Sequence, residues 1–478
     1  MGSLGPGPRA PSRRCVDGES SVTVATLPEA QAARPQASAA AQQGRILFYL
    51  IALLLLLGFG APTGSGLIGL PLKFILKNKL HLKAHEMATF TLAAGVPTYL
   101  AFLFGFARDT FNPFGMRDRG FLILFGGICA GVYLLFALAP VEAESLLLAN
   151  LILGAVFLFV ISAERGLISQ IGQQKQMTGQ VSAARGIFVA LPAIVAILAG
   201  GALSDLLEGA SAVTAAHILF LTGAAVMASV VLFGFWRPAS VFDHLTDDRP
   251  PGASRLADIK RLARHWPIYP ALLIWLMWEF SPGGDTPLMY YFQNTLGARD
   301  SQWGEWHAVV YADFIPTYLA FGLLCRRFPL RTLLVWGTLL GIPQYVPFLF
   351  VHSIPGAFVA AIVVGLTGGI ASAAYTDLMI RSCPRGLQGT MLMMSVSLSA
   401  IVHAVGNVLG TNLYERFGGF TACVIAITTV YALILPALRF VPKRLTATAD
   451  GQAPEVAFGA DQGSARRDLH TVSPATDR

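Results

Sequence analysis

Long apolar runs separated by short polar loops dominate this chain. They recur near positions 46–72, 88–107, 120–140, 145–165, 184–205, 214–236, 267–293, 303–324, 331–352, 355–380, 388–411 and 418–440. A run of about 20 apolar residues, coiled as an α-helix, crosses a hydrocarbon layer of about 30 Å. The runs are continuous rather than alternating, and a bilayer core leaves no unpaired backbone. The pattern therefore predicts an all-α integral membrane protein with twelve transmembrane helices.

The polar stretches divide the chain. Residues 1–44 are rich in Ala, Pro, Ser, Gln and Gly, and residues 441–478 are polar without periodicity; both predict disordered tails. The first apolar run is too long for the apolar core of a signal peptide and lacks a clear cleavage site, so it is expected to stay as an anchor. The longest interior interruption, 237–266, holds Pro250-Pro251 among charged residues that include Asp243, Asp247, Asp248, Arg249, Arg255, Lys260, Arg261 and Arg264, and follows six runs. The expected organisation is a six-helix bundle over 45–236, a cytoplasmic linker over 237–266 and a second bundle over 267–440.

A repeat supports that division. The hexapeptide Pro-Thr-Tyr-Leu-Ala-Phe occurs at Pro97–Phe102 and again at Pro316–Phe321, 219 positions on. The same shift carries the start of run 1 near Ile46 onto the start of run 7 near Pro267. Each copy is followed by a few apolar residues, a basic loop and a new run. Two six-helix halves in parallel repeat are a transporter architecture, with the substrate site between the halves near the midplane.

Composition agrees with the pattern. The chain is 54% hydrophobic and 13% charged, with mean hydropathy +0.59, where a soluble domain carries about a quarter charged residues. Placing both termini in the cytoplasm puts sixteen Lys and Arg on inner loops, Arg185 among them, against six on outer ones: Lys73, Lys77, Lys79, Lys83, Arg299 and Arg416. The bias supports that orientation and accounts for the net charge of +7, so no nucleic-acid partner is expected. The four lysines after run 1 break the rule locally.

Ionisable residues inside apolar runs cost at least ~2.5 kcal/mol each on insertion scales, so each requires a reason. Run 7 holds Glu279 and Asp285 around the breaker Pro282-Gly283-Gly284. Run 8 holds Asp313 shortly before Pro316. Run 10 holds Asp377 and Arg381, four apart on one helix face and able to pair. Run 4 holds Glu164-Arg165, and run 11 holds His403 among serines. Glu279, Asp285, Asp313, Asp377, Glu164, Arg165 and His403 are the candidates for a substrate or proton cavity, with structural pairing as the alternative for several. The sequence has no phosphate-binding glycine loop, no nucleophile elbow and no metal-spaced histidine cluster. No enzymatic activity, metal or cofactor is expected, and the five scattered cysteines predict no structural disulfide.

Three stretches carry a family resemblance. Gly105-Phe106-Ala107-Arg108-Asp109, then Gly115-Met116-Arg117-Asp118-Arg119, resembles the loop between spans 2 and 3 of the major facilitator superfamily. Its length, with Asn112-Pro113-Phe114 inserted, is similar to the loop of the folate–biopterin transporter family. Gly69-Leu70-Pro71 with the residues that follow, and Cys383-Pro384-Arg385-Gly386-Leu387-Gln388-Gly389-Thr390, resemble motifs of the same family. The resemblance covers about residues 45–440. It implies a gating motif of Gly105, Asp109, Gly115, Arg117 and Arg119. Glycine lets helices approach closely, and a carboxylate at a helix end accepts from a neighbouring helix N-terminus or pairs with arginine. The implied protein is a monomeric secondary transporter in the lipid bilayer of the plasma or inner membrane. It would work by alternating access and proton symport on a small organic molecule, folate- or pterin-like or another organic anion. The alternatives are a drug or metabolite exporter on the same fold and a non-transporting membrane assembly factor.

Overall fold

The computed structural model describes residues 29–62, 67–82, 84–208, 211–243, 245 and 255–452. Its main body is Arg45–Arg478; of the first unit, Met1–Gly44, only helical backbone from Glu29 is described. Among the described residues there is no strand.

The first half begins with α1 (Glu29–Gly60), α2 (Gly69–Phe74), α3 (Ala84–Ala94), α4 (Val96–Tyr99) and α5 (Ala101–Thr110). It continues with α6 (Asp118–Ala137), α7 (Ala143–Gln174), α8 (Thr178–Glu208) and α9 (Ala212–Phe235). The linker contributes α10 (Ala239–Phe242) and α11 (Arg255–Arg264). The second half holds α12 (Ile268–Glu279), α13 (Thr286–Tyr290), α14 (Asp300–Leu324), α15 (Leu330–Gly341), α16 (Ile354–Ser382), α17 (Gln388–Arg416), α18 (Phe420–Ala437) and α19 (Lys443–Thr446).

Ten of the described helices are long and apolar enough to cross a membrane, and α12 is a shorter apolar one. The expected run 2 is there but broken into α3, α4 and α5, with breaks at Gly95 and Leu100. Run 7 breaks after Glu279, where Phe280 turns extended, and resumes as α13. With these two broken crossings the fold has twelve transmembrane helices in two six-helix bundles.

The repeat is visible in the breaks. Both α1 and α12 stop, a short helix follows, and each short helix runs into a π-helical turn, Ile75–Lys79 in one half and Tyr291–Thr295 in the other. Gly60 and Glu279, the last residues of α1 and α12, are 219 positions apart, the offset of the hexapeptide. Pro97 opens α4, whereas Pro316 lies within an unbroken α14.

Each bundle has its own apolar core, one centred on residues such as Tyr49, Leu53, Tyr133 and Phe220, the other on Ile274, Phe321, Tyr375 and Ile434. The outer surface is apolar as well, with Leu138, Leu232, Leu323, Phe350 and Val408 exposed. A soluble protein would bury such residues; here lipid is their solvent.

Three sequence expectations change. The tail expected over 441–478 is folded at its start, through α19 and a turn at Asp450-Gly451; the expected remainder, 453–478, lies outside the described residues. The tail expected over 1–44 lies outside them up to residue 28, and α1 begins at Glu29. Arg185, expected on an inner loop, sits two turns inside α8, because that helix starts at Thr178. The connection between α9 and α12, which is the expected linker, marks one face of the molecule, called the linker face below; α5, α7, α14 and α16 end there, and α6, α8 and α17 begin there.

Candidate functional site

The last turn of α5 reaches the first turn of α17, from one bundle to the other. Asp109 is buried there. Its Oδ1 accepts from Arg108 Nη1 at 2.8 Å and from the Gly389 amide at 3.1 Å. Its Oδ2 accepts from the Thr390 amide at 2.6 Å and the Thr390 hydroxyl at 2.7 Å. The first amides of a helix lack intrahelical acceptors and carry partial positive charge, so a carboxylate is their natural partner. The helices meet this closely because residue 105 is glycine: a Cβ there would overlap the Gly389 carbonyl. Arg108 completes the lock by a bidentate pair with Asp118, 2.6 and 2.7 Å, at the start of α6.

More hydrogen bonds cross between the bundles in the linker-facing half. Gln173 of α7 donates through Nε2 to the Ile380 and Cys383 carbonyls, both at 2.8 Å. The Ser182 hydroxyl donates to the Ala373 carbonyl at 2.6 Å. Arg326 donates to Gln180 Oε1 at 2.6 Å. Ser397 donates to the Tyr99 carbonyl within the break between α4 and α5. Asp377 pairs with Arg381 at 2.8 Å, in this layer rather than in the middle of the molecule.

A second group of charges lies deeper between the bundles. Glu164 and Arg165 of α7 are joined there by Arg185, whose Nε is 3.9 Å from Glu164 Oε1, beyond hydrogen-bonding reach. Glu164 Oε1 and Arg165 Nε are buried with no hydrogen-bond partner. Glu279, at the end of α12, feels the charges of His403, Arg165 and Arg185. Arg165 and Arg185 line a small pocket with Trp275, Thr376 and Ser395, so groups from both bundles enclose it. Toward the face opposite the linker, His403 and Asp285 approach at 3.6 Å, each with about half its side chain exposed (52%). Asn407 holds the start of α13 in place, accepting from the Thr286 amide at 3.1 Å and donating to its hydroxyl at 2.9 Å.

The sequence candidates thus fall into separate places. Gly105 and Asp109 form the inter-bundle lock. Gly115, at φ +68°, turns the loop between α5 and α6, and Arg117 caps α6 with its amide bonded to Asn112 Oδ1 at 2.6 Å. Arg119 serves another purpose: it donates to the Gly234 and Phe235 carbonyls at the end of α9, at 3.0 and 2.9 Å. Glu164, Arg165, Glu279, Asp285 and His403 share the space between the bundles. Asp313 stands apart, packed against Gly365 of α16 with Oδ2 buried and unbonded. Sequence reasoning did not single out Arg108, Asp118 and Arg185, which the structure brings into these clusters. The first two are adjacent to assigned motif positions; the third was hidden by a helix start placed too late. Cys129, Cys325, Cys383 and Cys423 are free and buried, and Cys15 lies outside the described residues. Among the described residues no group of three or more His, Cys, Asp or Glu is placed to hold a metal ion.

Comparison with known proteins places this geometry in a wider setting. The profile of the Major Facilitator Superfamily matches residues 54–407. A folate-biopterin transporter from Synechocystis sp. is 24% identical over 405 residues, which cover 79% of this chain and 78% of that one. Among solved structures, the transporter FucP in its outward conformation superimposes with a TM-score of 0.64 at 14% identity, covering 83% of this chain and 98% of the other. The human organic anion transporter MFSD10 gives 0.57 at 16% identity, with coverage of 82% and 99%.

Proposed function

Since this chain belongs to the Major Facilitator Superfamily, we propose that it moves a small organic anion, folate- or pterin-like, across its membrane by proton-coupled alternating access. The observation that carries this reading is the set of ionisable groups enclosed between the bundles. Glu164, Arg165, Arg185 and Glu279 stand where charge is expensive, and Arg165 and Arg185 meet Trp275 across a pocket shared by both bundles. Guanidinium groups pair with carboxylates, and an indole face packs a flat heterocycle. The identity to a folate-biopterin transporter favours the same ligand chemistry.

The contacts at the linker face supply the gate. With Asp109 on the α17 N-terminus the bundles are held together at that face, and Asp285 and His403, half-exposed toward the other face, would line the entry from that side. Rocking the bundles about the central charges would break the Asp109 contact and open the linker face. The linker face is cytoplasmic in this reading, with both termini on that side, because it carries the excess of Lys and Arg. The working unit is the monomer, since each chain contains both bundles.

Uptake into proteoliposomes tests the reading. Purified protein is offered labelled folate, biopterin and a panel of aromatic and aliphatic carboxylates, with and without a pH gradient. Accumulation of an anionic heterocycle that collapses with the gradient is the expected result. Selective uptake of cations or neutral solutes would overturn the substrate class, and uptake indifferent to the gradient would overturn the coupling.

A further inference from the structure

The start of the C-terminal segment is bonded into the junction between the bundles. The Asp450 side chain is buried, with Oδ1 accepting from the Gly179 amide at 3.2 Å, the Thr178 hydroxyl at 3.4 Å and Arg381 Nη2 at 3.0 Å. Its Oδ2 accepts from the Gln180 amide at 2.9 Å and from the Cys325 thiol at 3.6 Å. Thr178, Gly179 and Gln180 open α8 in the first bundle; Arg381 and Cys325 belong to the second. The backbone repeats the crossing. The Asp450 amide donates to the Cys325 carbonyl at 2.9 Å and the Gly451 amide to the Gln176 carbonyl at 2.8 Å. Arg381 also donates to the Thr448 carbonyl at 2.9 Å and the Thr178 hydroxyl at 2.9 Å.

This is a receptor for a carboxylate. It combines the amides at the start of a 31-residue helix with a guanidinium. Neither half is complete without the other bundle. The ligand is the chain's own side chain, delivered by a turn whose Gly451 has φ +82°, a conformation that glycine adopts without strain.

We propose that residues 441–452 are an intrachain ligand: Asp450 docks in a receptor formed jointly by α8 and α16, and its docking holds the linker face shut. The receptor can exist only while the α8 start and the α16 end are adjacent. Docking therefore favours that arrangement by its full binding free energy, and the segment must leave before the face opens. The second part of the inference rests on the proposed alternating access; the first does not.

The test uses the full chain with two readouts. Hydrogen exchange follows the peptide spanning 443–452. Spin labels at Phe114→Cys and Arg327→Cys, in a Cys15→Ser background, report the distance between the bundles at the linker face. Asp450→Ala removes the acceptor; Gly451→Val leaves Asp450 in place but strains the turn. Both variants are expected to raise exchange of the segment at least tenfold and to add a longer label distance that is minor in the native protein. Unchanged exchange in both variants would overturn the docking. Raised exchange with an unchanged distance distribution would overturn the role in holding the face shut. Neither readout depends on finding the substrate, so a failure of the transport reading appears separately, in the uptake assay.

Discussion

At the scale of the residue, Asp109 does what its position requires. The four groups described around it, the Arg108 guanidinium, two amides and a hydroxyl, are all donors. Asp109→Asn would turn an amide NH2 toward one of them and lose a charge-assisted bond, at a cost of about 1.5–3 kcal/mol. That cost falls only on the state in which α5 and α17 touch. Turnover in proteoliposomes should therefore drop roughly tenfold or more, while expression and melting temperature stay near native. A native rate for the purified variant would remove Asp109 from the gate. Arg119→Ala should behave in the opposite way. It frees the carbonyls at the end of α9, so a lowered melting temperature with near-native turnover per folded molecule is expected; a turnover loss as large as that of Asp109→Asn would put Arg119 back in the gate. The sequence motif joins Asp109 and Arg119 in one string. Only the directions of their side chains separate the proposed gate contact of Asp109 from the contact of Arg119 with the end of α9, and direction is not readable from spacing in an irregular loop.

At the scale of the element, the tail segment titrates within the physiological range. Burial, and then the Asp377 carboxylate, push the Asp450 carboxyl up from 3.8 to about 6. The groups facing it are Asp377 and Arg381 on α16, Cys325 and the neighbouring Arg326 after α14, and the first residues of α8. The docked carboxyl binds a proton more tightly than the released one. Docking is therefore strengthened as pH falls through about 6 toward 3.8, and that contribution is lost as pH rises through about 6. Protection factors of the 443–452 peptide, corrected for intrinsic exchange, should rise by about tenfold between pH 7.5 and pH 5. In Asp450→Ala they should be flat; a native protein equally flat would show that the carboxyl does not titrate while docked. Nothing in the sequence announced this segment. Its residues are polar and without period, and its order comes from partners more than sixty positions away. The membrane helices were legible for the converse reason, since a bilayer forces continuous apolar runs whatever their partners. The break after Glu279 was legible from Pro282-Gly283-Gly284. The breaks at Gly95 and Leu100 were not, because the stretch stays apolar across them and one of them is fixed by Ser397 of the other bundle.

At the scale of the whole molecule, the proposed orientation and coupling can each be tested. Cysteines at Glu142, on the loop between α6 and α7, and at Arg327 should be labelled from opposite sides of the membrane, Arg327 from the cytoplasm. The four described native cysteines are buried, so background labelling is low once Cys15 is replaced. Labelling of both positions from one side would overturn the twelve-crossing arrangement. The coupling prediction concerns Glu279. It ends α12 at the break and feels Arg165 and Arg185 of the first bundle and His403 of the second. Any rocking of the bundles changes those distances, and with them the balance between the charged and neutral forms of its carboxyl. A group whose proton affinity follows the conformation can load on one side and unload on the other. Each unit of pH gradient supplies about 1.4 kcal/mol per proton, enough for up to tenfold accumulation of a co-transported solute. Glu279→Gln keeps the shape and removes the proton. The variant should still exchange labelled for unlabelled substrate across the membrane, while its gradient-driven accumulation ratio falls from as much as tenfold to about one. Accumulation that survives Glu279→Gln with the native pH profile would move the proton site to another carboxyl, and Asp313, buried and unbonded at Oδ2, would be the next to test by the same pair of assays.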